Sequence, residues 1–121
     1  MSGISTHVLD LALGGPAAGV SVKLLRLIDG VWVEVAAQTT DADGRCRELL
    51  AMGDVLRSEY RLVFNTQAYF RASHPPGTLE MEGESPLYPE VVISFIVREP
   101  SSSYHMPLLL SPNGYTTYRG S

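Results

Sequence analysis

The amino-acid sequence predicts an all-β protein, an antiparallel sandwich of roughly seven or eight short strands. Three observations carry that prediction. Runs rich in β-branched and aromatic residues recur along the chain, several with a period of two. Asp-Gly and Pro-Asn-Gly turn signals separate these runs. Only two stretches read as helix, and neither exceeds about two turns.

The first strand is "ISTHVLDL". Ile4, Thr6, Val8 and Asp10 share one face; Ser5, His7 and Leu9 share the other. "GVSVKLLRLID" alternates next, with Val20, Val22, Leu24 and Arg26 opposite Ser21, Lys23, Leu25 and Leu27. Asp29-Gly30 closes a hairpin, because glycine tolerates positive φ and Asp bonds its own backbone. "VWVEVAAQTT" returns with Trp32, Glu34 and Ala36 opposite Val31, Val33 and Val35. A second Asp-Gly turn, Asp43-Gly44, opens a short strand from Arg45 to about Leu49. "GDVLR" reads as a single helical turn and "SEYRLVFNT" as a strand. "TQAYFRAS" makes about two helical turns before Pro75 and Pro76 stop it. Residues 72–89 form a Pro/Gly-rich loop with some acidic charge. "VVISFIVRE" holds an almost continuous apolar run, as in a strand in the middle of a sandwich. "YHMPLLLS" and "YTTYRG" pair across "SPNG".

Length and composition narrow the function. A chain of 121 residues fits one domain, spanning 1–121. A net charge of −4 without a basic stripe argues against nucleic acid. No run approaches the ~20 apolar residues of a membrane span. The single Cys46 has no partner for an internal disulfide, which fits a reducing compartment. "MSGISTHVLD" lacks the features of a signal peptide, so a cytoplasmic protein is expected. A peroxisomal one would need a targeting segment, and the C-terminus is not of the Ser-Lys-Leu type.

The side chains able to carry chemistry are few. Histidine exchanges protons near neutrality, and there are three: His7 and His105 in strands, and His74 beside two prolines. Taken singly, each reads first as a structural or solvated residue. Arg45 opens a strand, and a guanidinium can hold a carboxylate or a urea-like group with two parallel hydrogen bonds. Cys46 turns to the face opposite Arg45 and reads as inert. "DADG" lacks the rest of a calcium loop. No His-x-x-x-His pair suggests zinc. No nucleophile elbow or phosphate loop is present.

Five stretches together go further: "STHVLDLALGGPAAGVSVKLLR", "TDADGRC", "YRLVFNTQAYF", "YPEVVISFIV" and "YHMPLLLSPNGYTTYRGS". They resemble the transthyretin-related 5-hydroxyisourate hydrolases, and the closing Tyr-Arg-Gly-Ser is the most specific element. The resemblance implies a transthyretin-like β-sandwich of two four-stranded sheets with one short helix. It implies a homotetramer, a dimer of dimers, with sites in the channel between dimers. The implied reaction is hydrolysis of 5-hydroxyisourate to 2-oxo-4-hydroxy-4-carboxy-5-ureidoimidazoline, with no metal and no organic cofactor. By resemblance the catalytic residues are His7, Arg45 and His105, and Tyr118, Arg119 and Ser121 contact substrate. One departure is Ser103, where many relatives have a histidine. The rival that the same resemblance leaves is a thyroid-hormone carrier without catalysis, whose channel would be longer and more apolar.

Overall fold

A computed structural model of the chain describes residues 2–74 and 86–121. The strands are β1 (Ser2–Asp10), β2 (Gly15–Pro16), β3 (Ser21–Ile28), β4 (Val31–Thr39), β5 (Arg45–Ala51), β6 (Ser58–Phe64), β7 (Val91–Val97), β8 (Tyr104–Ser111) and β9 (Gly114–Thr117). Helix α1 spans Thr66–Ser73, and a single 3-10 turn covers Met52–Asp54. One sheet runs β4-β3-β6-β7; the other runs β2-β1-β8-β9, with β5 also paired to β1. Among the described residues the second sheet therefore has five strands rather than the expected four. β5 covers β1 only from Ser2 to His7, and the two-residue β2 fills the remaining edge at Leu9 and Asp10.

The alternation in β1 is realised. Ile4, Thr6, Val8 and Asp10 are buried, while Ser5, His7 and Leu9 are half-buried on the outer face. Ile4, Val8, Leu108 and Leu110 from one sheet share the core with Val22, Leu24, Leu62 and Phe64 from the other. Fully burying such a side chain stabilises by about 1.5–3 kcal/mol. The Asp29-Gly30 hairpin forms with φ of 50° and 78°, both positive as a primed turn requires.

Three expectations change. The strands are not all antiparallel: β1 and β8 pair in parallel over seven positions, Ile4↔Tyr104 to Asp10↔Leu110. Strands from the two ends of the chain meet without a hairpin between them, so turn signals do not govern their direction. Second, register slips between Leu24↔Ala36 and Leu25↔Glu34, leaving Val35 as an extra residue in β4. This bulge lets Val35 and Ala36 both pack on the core, where strict alternation separates them. Third, β7 is an edge strand, not a central one. Its outward Val92 and Ile96 are 40% and 58% exposed. The central part of the expected 72–89 loop, residues 75–85, lies outside the described residues.

Helix α1 is capped by Asn65, whose Oδ1 accepts from the Ala68 N–H at 3.1 Å. Thr66, Tyr69 and Phe70 form its buried stripe. The helix is tied to the end of β1 through Asp10, a buried carboxylate only 1% exposed. Asp10 Oδ2 accepts from the Tyr69 hydroxyl at 2.6 Å and bonds His74 Nε2 at 2.6 Å. Its Oδ1 accepts from the Ala12 and Leu13 N–H groups. His74, which sequence alone leaves as a loop residue, is thus a buried partner of β1.

Burial alone would raise the Asp10 pKa, but the hydrogen bonds from Tyr69, His74 and Leu13 outweigh it and hold the carboxyl below its ordinary range. A depressed carboxylate contributes stability above its unfolded pKa of about 3.9, and that stability is lost as pH falls through the folded value. Asp10→Asn is therefore expected to lower stability at pH 7 by about 1.5–3 kcal/mol, the worth of hydrogen bonds to a charged group. Urea denaturation at pH 7 and again below pH 4 checks this. The difference from wild type should shrink in acid; a gap independent of pH would refute the account.

Candidate active site

Strand register brings together side chains that are far apart in sequence. β1 and β5 are antiparallel with His7 opposite Arg45. β1 and β8 are parallel with Ser5 opposite His105. Paired residues point to the same face. The row Arg45, His7, Ser5, His105 therefore lies on the outer face of the five-stranded sheet, crossing three adjacent strands spaced about 4.8 Å apart.

Each group is held locally. The turn before β5 is built on Asp41, whose Oδ1 accepts from the Asp43 and Arg45 N–H groups, both at 2.9 Å. The Arg45 N–H is the main reason the Asp41 carboxyl sits below its ordinary range; the Asp43 N–H and the charges of Arg47 and Arg45 add to it against some desolvation. Gly44 has φ of +74°, and a Cβ there would lie 2.4 Å from the Val8 carbonyl oxygen. Only glycine allows this turn to press against β1, where the Val8 N–H donates to the Gly44 carbonyl at 2.7 Å. The same turn aims the Asp43 carbonyl at His7 Nε2, 2.9 Å away. A carbonyl only accepts, so this nitrogen carries a proton and the lone pair of a neutral His7 lies on Nδ1.

His105 Nδ1 lies 2.8 Å from Ser5 Oγ. Burial, followed by the charges of Arg45 and His7, moves the His105 pKa below its ordinary value. Arg45 and His7 thus act on His105 electrostatically as well as lying in its row. His7, Leu9, Pro16, Asp43, Arg45 and Arg47 line an open depression of about 540 Å³, with His105 one strand beyond. Cys46 faces the core, 2% exposed, with its thiol pushed up to about 11. It is not a thiolate nucleophile.

The C-terminal residues return to this row. β9 ends at Thr117, earlier than the sequence suggests. The Pro107 carbonyl accepts from the Thr117 hydroxyl at 2.8 Å, so that side of β8 faces the tail. Proline has no N–H to offer there, and the ladder breaks. It resumes at one bridge, where the Gly120 N–H donates to the His105 carbonyl at 2.7 Å. Glycine is needed at that point: a Cβ would lie 2.8 Å from His105 Cδ2 and 3.1 Å from Pro107 Cγ.

Tyr118 lies two residues from Gly120, on the His105 face by register, and is 54% exposed. Ser121 follows Gly120 and is exposed. Arg119 takes the opposite face. Its guanidinium carbon sits 4.1 Å above the Tyr104 ring, and its Nη2 donates to the Ser103 carbonyl at 2.9 Å. The structure thus gives Arg119 an anchoring place rather than one among the histidines. Sequence reasoning passed over Ser5 and Asp41. Ser5 was visible as a face-mate of His7, but nothing local identified β8 as the neighbour of β1.

Two imidazole rings beside a guanidinium, on one face of a two-sheet β-sandwich, define a class of small-molecule site suited to acid–base work on a polar carbonyl compound. Residues 4–120 match the model of the HIUase/Transthyretin family, and the chain belongs to that family. It is 46% identical to a 5-hydroxyisourate hydrolase of Caulobacter vibrioides, over the full length of both. The solved 5-hydroxyisourate hydrolase of Klebsiella pneumoniae superimposes with a TM-score of 0.80 at 34% identity, over 100% of each chain. Transthyretin from Sparus aurata gives 0.84 at 29% identity, over 98% of this chain and 96% of the other.

Proposed function

We propose that this protein hydrolyses 5-hydroxyisourate to 2-oxo-4-hydroxy-4-carboxy-5-ureidoimidazoline. The observation that carries the reading is the shared outward row of His7, Arg45 and His105, set by strand register. Similarity to named hydrolases over the whole chain supports it. Fold likeness to a transthyretin does not favour a carrier, because both functions use one sandwich. Paired imidazoles and a guanidinium suit a flat polar ureide better than an apolar hormone.

In this reading water attacks a ring carbonyl and the amide-type C–N bond breaks. His7 and His105 share removal of the water proton and its delivery to the departing nitrogen. Arg45 stabilises the negative charge that develops on the carbonyl oxygen. Tyr118 and Ser121 orient the substrate, while Arg119 anchors the tail that carries them. None of these steps requires a metal or an organic cofactor.

A single chain presents these groups on an open face, and a site that excludes water needs walls. We place the working site in the channel of a homotetramer, a dimer of dimers. Exposed Leu11 and Leu13 after β1, and Val92 and Ile96 on the β7 edge, are apolar surface available for such contacts. Among the described residues no helix is long and apolar enough to cross a membrane. A lone buried cysteine fits a cytoplasmic setting.

The test is direct. Purified protein is added to freshly generated 5-hydroxyisourate and the loss of its absorbance is followed, with size-exclusion mass recorded on the same sample. Accelerated decay from a four-chain species is expected. Decay at the spontaneous rate, together with tight competition by thyroxine, would favour the carrier.

A further inference from the structure

We propose that Ser5 is a positioning residue for His105: its hydroxyl occupies Nδ1, so that the imidazole meets substrate through Nε2. The inference rests on the reading of His105 as an acid–base group and deepens it.

The geometry is specific to these two strands. Ser5 and His105 are opposite partners in the parallel β1/β8 ladder, with Oγ and Nδ1 2.8 Å apart. Ser5 lies inside the unbroken β1/β8 ladder that runs from Ile4 to Asp10, so its backbone has little freedom. Serine has a single side-chain torsion before its oxygen, so little entropy is lost in holding the bond. The other edge of the imidazole, Cδ2, packs on Gly120, where no Cβ fits. The ring is therefore gripped on its Nδ1 edge by a hydrogen bond and on its Cδ2 edge by backbone. Only Nε2 remains for a reacting proton.

The Ser5 bond also selects between two ring orientations. Rotation by 180° about the Cβ–Cγ bond exchanges Nδ1 with Cδ2, which have nearly equal volume. Packing against Gly120 alone does not distinguish them; a hydroxyl does, because carbon cannot replace Nδ1 in the bond. His7 is held in the complementary manner. The Asp43 carbonyl occupies its Nε2, leaving Nδ1. The two histidines thus leave different ring nitrogens for substrate.

The experiment uses the full chain with Ser5→Ala and Ser5→Thr. Two quantities are read: kcat and KM on freshly generated 5-hydroxyisourate, and the ¹⁵N shifts of the His105 ring without substrate. Misplacing a catalytic group by about 1 Å can cost about 100-fold. Ser5→Ala is therefore expected to lower kcat by about 10- to 100-fold, with KM changed by less than about threefold. Its His105 Nδ1 signal should move while those of His7 stay. Ser5→Thr, which keeps the hydroxyl, should recover both the signal and most of kcat. Wild-type kcat in Ser5→Ala, an unmoved Nδ1 signal, or Ser5→Thr as impaired as Ser5→Ala would overturn the proposal. If wild type fails to open 5-hydroxyisourate, the functional reading falls. The ring spectra, recorded without substrate, still decide the hydrogen bond.

Discussion

His105→Ala and Arg45→Gln should each lower kcat/KM for 5-hydroxyisourate by about 100- to 10,000-fold, the usual contribution of one general acid–base group or one oxyanion donor. Both side chains stand on the outer sheet face and are only half-buried. Each change should therefore cost less than about 1 kcal/mol of stability, and thermal melting on the same samples separates chemistry from folding. The two variants differ in what they do to pH dependence. Burial, Arg45 and His7 together keep the His105 pKa below its ordinary value of about 6.5. If His105 works from the neutral state, activity falls as pH drops through that lowered value. Arg45→Gln removes one positive neighbour, so the His105 pKa rises toward its ordinary value and the residual activity loses its acid limb at a higher pH. His105→Ala removes that limb altogether. A pH profile of Arg45→Gln shifted downward, or wild-type turnover by either variant, would refute the assignment.

How much of this was legible in the letters depends on distance along the chain. The inward and outward faces of β1, the Asp29-Gly30 hairpin and the eight-residue α1 rest on neighbours within a few positions, and the sequence reads them well. His7, Arg45 and His105 were singled out by resemblance, but no local rule says they meet. Their meeting depends on β1 pairing with β8, and Ser5 and His105 are separated by 100 positions. A parallel pair of that kind has no turn to announce it. The bulge at Val35 was equally hidden, since "VWVEVAAQTT" alternates whether or not one residue is extra. Asp10 could be placed inward by period, yet an inward carboxylate needs a partner. Its side-chain partners, Tyr69 and His74, lie 59 and 64 positions away. "VVISFIV" misled for a different reason. Apolar residues on both faces suggest burial on both faces, but among the described residues only one side of β7 is covered. The outward Val92 and Ile96 are left 40% and 58% exposed.

Gly120→Val should reduce kcat by about 100-fold while the protein melts within a few degrees of wild type. Two separate facts produce this pairing. First, Gly120 is not among the positive-φ glycines, so an L side chain adds no backbone strain at that position. Second, the new Cβ would meet His105 Cδ2 at 2.8 Å and Pro107 Cγ at 3.1 Å. The proline ring is tied into β8, whereas the imidazole can rotate. The cheapest relief is to swing His105 off Gly120, and that motion pulls Nδ1 away from Ser5. The damage is thus confined to the orientation of one ring. Gly120→Ala should behave the same way with a smaller loss, since the clash begins at Cβ and valine adds two methyl groups. Deleting residues 118–121 removes the Gly120 N–H bond to the His105 carbonyl as well as Tyr118 and Ser121, and should be worse than either substitution. The graded order, alanine above valine above deletion, separates steric displacement of His105 from a general fraying of the C-terminus. Fraying would release the tail in all three and leave them equally impaired.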